Sequence, residues 1–230
     1  MYGFIESEFD PRDLEFTKDE DIRSEELPNS YDYSKFMDLK IKDQGNTSTC
    51  VPTSISTMLE GMDMNIDWNI NDVYNRRPEP KGDGMQIRDA LKILKNDSNN
   101  KYLKYYRLRS WLQIKWSLIA NGPCILALPV RSMDNEFWKG NENLGGHAVC
   151  CVGYDEDGFI IQNSWGSGWG FAALRGVIPF MRAGMIPSPT FLVPPWTKRK
   201  KHPVGERSHK RERNHSGTSE YSGVDLWLYW

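Results

Sequence analysis

Residues 43–56 read DQGNTSTCVPTSIS, a short polar loop that ends in a cysteine and opens into an apolar-periodic run. Val51, Ile55, Met58, Leu59 and Met62 recur at helical intervals, with Pro52 early in the first turn, so CVPTSISTMLEGM is predicted to be a helix. Ser48 or Thr49 is placed to cap it, and Gly61 lies near its end. Cys50 would then sit at a helix mouth, among unpaired N–H groups and the positive end of the dipole. A thiol attacks as thiolate, so a nucleophile there needs a lowered pKa, a proton acceptor and donors for the developing oxyanion. A lone cysteine before a helix is more often an inert core residue. The rest of the chain has to supply the partners.

The chain has 230 residues, 39% hydrophobic and 26% charged, enough for a core without disulfide staples. Its net charge of −2 is unevenly spread. Residues 1–26 hold ten Asp/Glu against three Lys/Arg, and residues 197–215 hold eight Lys/Arg against two acids. The cysteines are Cys50, Cys124, Cys150 and Cys151. Adjacent strand residues point to opposite faces, so Cys150 and Cys151 are poor partners, and no disulfide framework is read. That leans towards a reducing compartment. No secretory signal is read at the start, and no apolar run approaches about 18 residues, so a cytoplasmic chain without a membrane span is expected.

Four segments are expected. Residues 1–26 form an acidic arm whose Tyr2, Phe4, Phe9 and Phe16 can dock on the body, and residues 27–170 form the globular domain. Residues 171–196 are apolar but broken by five prolines, and residues 197–230 are basic, polar and of disordered composition. The abrupt change after Gly170 reads either as an extension or as a change of reading frame. Within the domain, helices are predicted at GMQIRDALKILK and SWLQIKWSLIANG, followed by strands at PCILALPV, GHAVCCVGYD and GFIIQNSWG. Asp157-Gly158 marks a hairpin turn between the last two. Helices first and strands later give α+β.

Three of the four histidines fall in the basic tail, leaving His147, in GGHAVCCVGYD, as the histidine of the body. Asn163 follows sixteen residues later in IQNSWGSGWG. Two antiparallel strands joined by a tight turn would set them side by side, with the carboxamide orienting the imidazole. Gln44 offers a neutral amide to an oxyanion. KDQGNTSTC, NGP, GHAVCCVGYD and NSWGSGWG, in this order, together with LPNSYDY near the start, resemble the papain-like cysteine peptidases of the C1 family. The resemblance spans about residues 27–170 and suggests a compact bacterial- or viral-type member without the long propeptide.

That resemblance implies a two-lobed α+β fold, with a helical lobe carrying the catalytic helix and a trimmed antiparallel β lobe. It assigns Cys50 as nucleophile, His147 as base and acid, and Asn163 as the residue orienting the histidine. Gln44 and the Cys50 N–H would make the oxyanion hole, and Trp165 would cover the Asn–His bond. Gly82 or Gly84 matches the glycine that pairs with substrate backbone. Met85 and Ala148 would line an apolar pocket for the residue preceding the one at the cut. The departures are equally specific. Thr47 replaces a disulfide cysteine, and Val51 replaces a tryptophan behind the nucleophile, which weakens its support. His147 and Asn163 follow Cys50 by 97 and 113 residues, against about 130–150 in the cathepsin type. The segment FAALRGVIPF is a poor match for the strand by which the family returns to the β lobe.

The implied activity is endopeptidase hydrolysis of a peptide or protein substrate through an acyl-thioester. Two alternatives share the motif: an inactive peptide-binding homologue, and a Cys–His amidase or cell-wall peptide hydrolase. No cofactor is implied. A metal site of His147, Cys150 and Cys151 is disfavoured because the adjacent cysteines diverge. Lys198–Arg213 could contact nucleic acid or acidic lipid, but no aromatic residues are interleaved with its charges, which favours a solvated tail.

Overall fold

A computed structural model of the chain describes residues 3–8, 10–16, 21–36, 39–64, 66–78, 82–98, 103–132, 140–169, 176–179 and 190–192. All of them belong to the compact unit Met1–Arg199. The basic tail, and with it the question of nucleic-acid contact, lies outside the described residues, as do Tyr2 and Phe9.

Four α-helices are described: α1 (Cys50–Gly61), α2 (Ile70–Asn75), α3 (Ile87–Asp97) and α4 (Trp111–Ala120). The α1 helix is enclosed almost all round, with only Ser56 and Glu60 partly exposed. A helix carrying Thr53 and Thr57 tolerates this because both hydroxyls bond back to carbonyls four residues earlier, Thr49 O at 2.7 Å and Thr53 O at 3.4 Å. Pro52 stands in the first turn, where a missing N–H costs no internal bond. Thr49 occupies the N-cap position, but its hydroxyl bonds Thr47 Oγ1 at 2.7 Å and not a helix amide. In α3 the apolar stripe Ile87, Leu91 and Leu94 is buried as its spacing predicts.

The strands β1 (Leu14–Glu15), β2 (Tyr31–Asp32), β3 (Tyr106–Leu108), β4 (Cys124–Val130), β5 (Gly145–Tyr154), β6 (Gly158–Gln162), β7 (Gly176–Pro179) and β8 (Thr190–Leu192) share one sheet. Its order is β1-β3-β8-β4-β5-β6-β7, with β2 also paired to β5. All pairings are antiparallel except β1 with β3. The β5–β6 hairpin turns as its Asp-Gly predicts: the Asp155 N–H donates to Gly158 O at 2.9 Å, and Asp155 Oδ1 accepts from the Asp157 and Gly158 amides.

One point corrects the reading of the sequence. The chain does return to the β lobe after Gly170, because Gly176–Pro179 pairs with β6 in the register Val177↔Ile160 and Ile178↔Phe159. A short β-branched run suffices for a ladder even among prolines, provided the prolines fall at its ends. The acidic arm docks on the body, as its aromatic residues suggest: Phe4 and Phe16 pack against the core, and β1 extends the sheet along β3.

Candidate active site

The polar loop before α1 and the loop after β6 are zipped together. Asp43 and Trp165 form an isolated antiparallel bridge, the Gln44 N–H donates to Ser164 O at 2.8 Å, and the Gly166 N–H donates to Lys42 O at 3.0 Å. Within this zipper Gln44 is buried and its carboxamide orientation is determined by its partners. Nε2 donates to Thr47 O at 2.8 Å, and Oε1 accepts from Ser164 Oγ at 2.6 Å. Ser164 was not singled out from the sequence; it lies inside the NSWG run.

His147 lies in β5 and is fully buried. Its Nε2 is 2.7 Å from Asn163 Oδ1, which also accepts from the Ser164 N–H at 2.8 Å. Because a carboxamide oxygen only accepts, this contact puts the proton on Nε2 and leaves Nδ1 as the basic nitrogen. Trp165 stacks on the imidazole with centroids 4.6 Å apart and an angle of 26°, and Trp169 meets Trp165 edge-on at 5.8 Å. The hairpin thus brings His147 and Asn163 together as predicted, under an indole roof.

Cys50 is the first residue of α1 and is fully buried. Backbone N–H groups of Ala148, Gly3 and Val51 favour its thiolate form. Ala148 follows His147 directly, and its carbonyl accepts from Ser54 Oγ of α1 at 2.8 Å, so helix and strand are stitched together beside the thiol. Behind Cys50, where the resemblance misses a tryptophan at Val51, Trp68 approaches from another loop and donates Nε1–H to Pro52 O at 2.8 Å.

Burial dominates the electrostatics. It pushes the Cys50 thiol up to about 11, against the opposing pull of the three amides, and pushes His147 down to about 4 although the Asn163 bond favours its charged form. At neutral pH both groups are therefore uncharged in this structure. The lowered thiol pKa expected of a helix mouth is not found, because the loss of hydration outweighs the backbone groups that favour the thiolate.

The substrate-side residues separate. Gly82 is exposed, with no heavy atom within 4 Å of where a Cβ would stand. Gly84 is buried, in the left-handed region at φ +114°, and its N–H donates to Tyr74 OH at 2.9 Å. The backbone next to Gly84 pairs with the chain's own arm: the Met85 N–H donates to Gly3 O at 2.7 Å, and Met85 O accepts from the Ile5 N–H at 3.1 Å. Met85 and Ala148 are both buried. Among the described residues no cluster of three His, Cys, Asp or Glu could hold a metal ion.

Residues 36–172 match the Peptidase_C39 like family. Over 58 residues the chain is 38% identical to papain from Carica papaya, a match covering 23% of this chain and 17% of that protein. Over 31 residues it is 58% identical to an uncharacterized peptidase C1-like protein of Acanthamoeba polyphaga mimivirus, covering 13% and 10%. The chain thus spans less than a fifth of either of these curated relatives. Xylellain, a cysteine protease from Xylella fastidiosa, has a similar structure with a TM-score of 0.67 at 21% identity, over 84% of this chain and 95% of that one.

Proposed function

The chain belongs to the Peptidase_C39 like family and has a papain-like α+β fold, and from that premise we propose that it is a cysteine endopeptidase. Cys50 attacks the scissile carbonyl, and His147 Nδ1 takes the thiol proton. The imidazolium then protonates the leaving amine, an acyl-thioester forms, and His147 activates the water that releases it. Asn163 holds the imidazole through Nε2, and Trp165 shields that bond from water. Gln44 Nε2 and the Cys50 N–H stabilise the oxyanion.

The observation that carries this reading is the buried 2.7 Å His147–Asn163 bond, on the strand that Ser54 of α1 ties to the Cys50 helix through Ala148 O at 2.8 Å. A core histidine needs no such alignment with a cysteine at a helix mouth. The reading extends to a peptide or protein substrate met in the cytoplasm, supported by four cysteines that are all free. No helix among the described residues is long and apolar enough to cross a membrane.

The test is turnover of a peptide library, with trapping of an acyl-enzyme on Cys50. Cys50→Ala is expected to abolish both turnover and trapping. Cleavage that persists in Cys50→Ala would overturn the mechanism.

A further inference from the structure

The loop before α1 carries three hydroxyl residues in a row, Thr47, Ser48 and Thr49, and two of them form a relay that ends on Gln44. Thr47 Oγ1 lies 2.6 Å from Gln44 O and is the donor, because a carbonyl only accepts. A hydroxyl has one proton, so in the 2.7 Å contact between Thr47 Oγ1 and Thr49 Oγ1 the donor is Thr49. The relay therefore runs one way, from Thr49 through Thr47 to the main chain of Gln44.

The side chain of Gln44 closes the circuit. Its Nε2 donates back to Thr47 O at 2.8 Å, and the Thr47 N–H donates to Gln44 O at 3.3 Å. Gln44 and Thr47 thus clasp each other through a hydroxyl, a carboxamide and a main-chain amide. At the other end of the carboxamide, Oε1 accepts from Ser164 Oγ at 2.6 Å. A flipped amide would set Oε1 against Thr47 O, two acceptors face to face, so the clasp also fixes which end is the donor.

The relay starts from the helix that carries the sulfur. Thr49 is buried, directly precedes Cys50, and its carbonyl accepts from the Thr53 N–H at 3.0 Å and from Thr53 Oγ1 at 2.7 Å. A threonine at an N-cap ordinarily turns its hydroxyl onto a helix amide. Thr49 makes no such bond, and its hydroxyl is turned onto Thr47. Little else stiffens the loop. Gly45, Asn46 and Thr47 are exposed, Gly45 sits in the left-handed region at φ +56°, and no heavy atom lies within 4 Å of where its Cβ would stand.

Resting on the peptidase reading, we propose that Thr47 and Thr49 are positioning residues for the oxyanion, whose hydroxyl relay holds the Gln44 carboxamide against the first turn of α1. Thr47 stands where the resemblance puts a disulfide cysteine, and hydrogen bonds take over the work of a covalent tie. An oxyanion donor is effective when it is already in place as charge develops. The oxyanion exists only beyond the ground state, so a loosened amide lowers kcat and leaves KM alone.

The test follows hydrolysis of a short fluorogenic peptide by the full chain, alongside hydrogen exchange of the Gln44 side-chain amide by NMR. Thr47→Val and Thr49→Val keep the side-chain shape and remove one hydroxyl each. Either should lower kcat about tenfold, the effect of losing one hydrogen bond, with KM within about twofold of wild type. Thr47→Ser, which restores the hydroxyl, should recover kcat to within about twofold. In a Gln44→Ala background Thr47→Val should change kcat by less than about twofold, since no amide is left to position. Exchange of the Gln44 amide should speed up in both valine variants and not in Thr47→Ser. A kcat within about twofold of wild type in both valine variants, in a chain that cleaves the peptide, overturns the proposal. So does a Thr47→Val loss that persists undiminished in Gln44→Ala, which marks general damage to the loop. Amide exchange that speeds up in a chain that cleaves nothing keeps the relay and removes the peptidase reading.

Discussion

The two polar assemblies that meet at Cys50 are built in opposite ways. On the β side, His147, Asn163, Ser164 and Gln44 are all buried and joined to one another by bonds of 2.6–2.8 Å. On the arm side, the cleft contacts of residues 3–5 are main-chain bonds of 2.7–3.1 Å, with Ile5 open to solvent. A network of short buried bonds resists displacement, since breaking any one of them takes a partner from a buried polar group. The arm adds only the packing of Phe4 to its main-chain bonds, which another extended chain can form as well. One region is held by side chains bonded to one another and the other mainly by its backbone.

Several measurements would break or sharpen that contrast. Removing the base has the largest expected effect: His147→Ala should lower kcat by about 10⁴-fold or more, read on a peptide that the wild type cleaves. Next comes the core at the turn end of the β5–β6 hairpin. Phe159 is fully buried and stacks on Trp111 at 5.1 Å, so Phe159→Ala should cost about 3–5 kcal/mol in denaturant unfolding. Gln44→Ala should lower kcat by about 10²–10³-fold with a smaller change in KM, because its amide acts on the oxyanion.

The fourth effect depends on pH. Unfolded, His147 takes a proton near its ordinary 6.5, whereas folded it resists until about 4. Between those values the unfolded chain binds more protons, so stability is full above about 6.5 and falls as the pH drops towards 4. The loss is about 3 kcal/mol, and urea midpoints across that range should show it in wild type and not in His147→Gln. Ile5→Ala marks the other extreme. It should change unfolding free energy by about 0.5 kcal/mol or less, and a loss as large as that of Phe159→Ala would mean the arm is as fixed as the core.

Much of the site was legible because its signals are local. The apolar spacing from Val51 to Met62 places Cys50 at the start of α1, and Asp157-Gly158 closes the hairpin that sets Asn163 beside His147. The substrate side was less legible. Glycines at 82 and 84 both suit a backbone approach, yet their surroundings differ: Gly82 is exposed, whereas Gly84 is buried with its N–H on Tyr74. The spacing of residues cannot tell which neighbouring amide is already engaged. Trp68 behind Pro52 was equally hidden, because the supporting indole comes from outside the motif.

Period and turn chemistry, which act over a few residues, were sufficient to determine the helices, the hairpin and the chain order of cysteine, histidine and asparagine. Only the tertiary structure decided the protonation of the pair and the course of the arm. Desolvation depends on everything that packs over Cys50 and His147, including Gly3, some 47 and 144 positions away. A strand that pairs with Met85 and Gly146 at once is specified by two distant backbones, and backbone groups carry no side-chain signature.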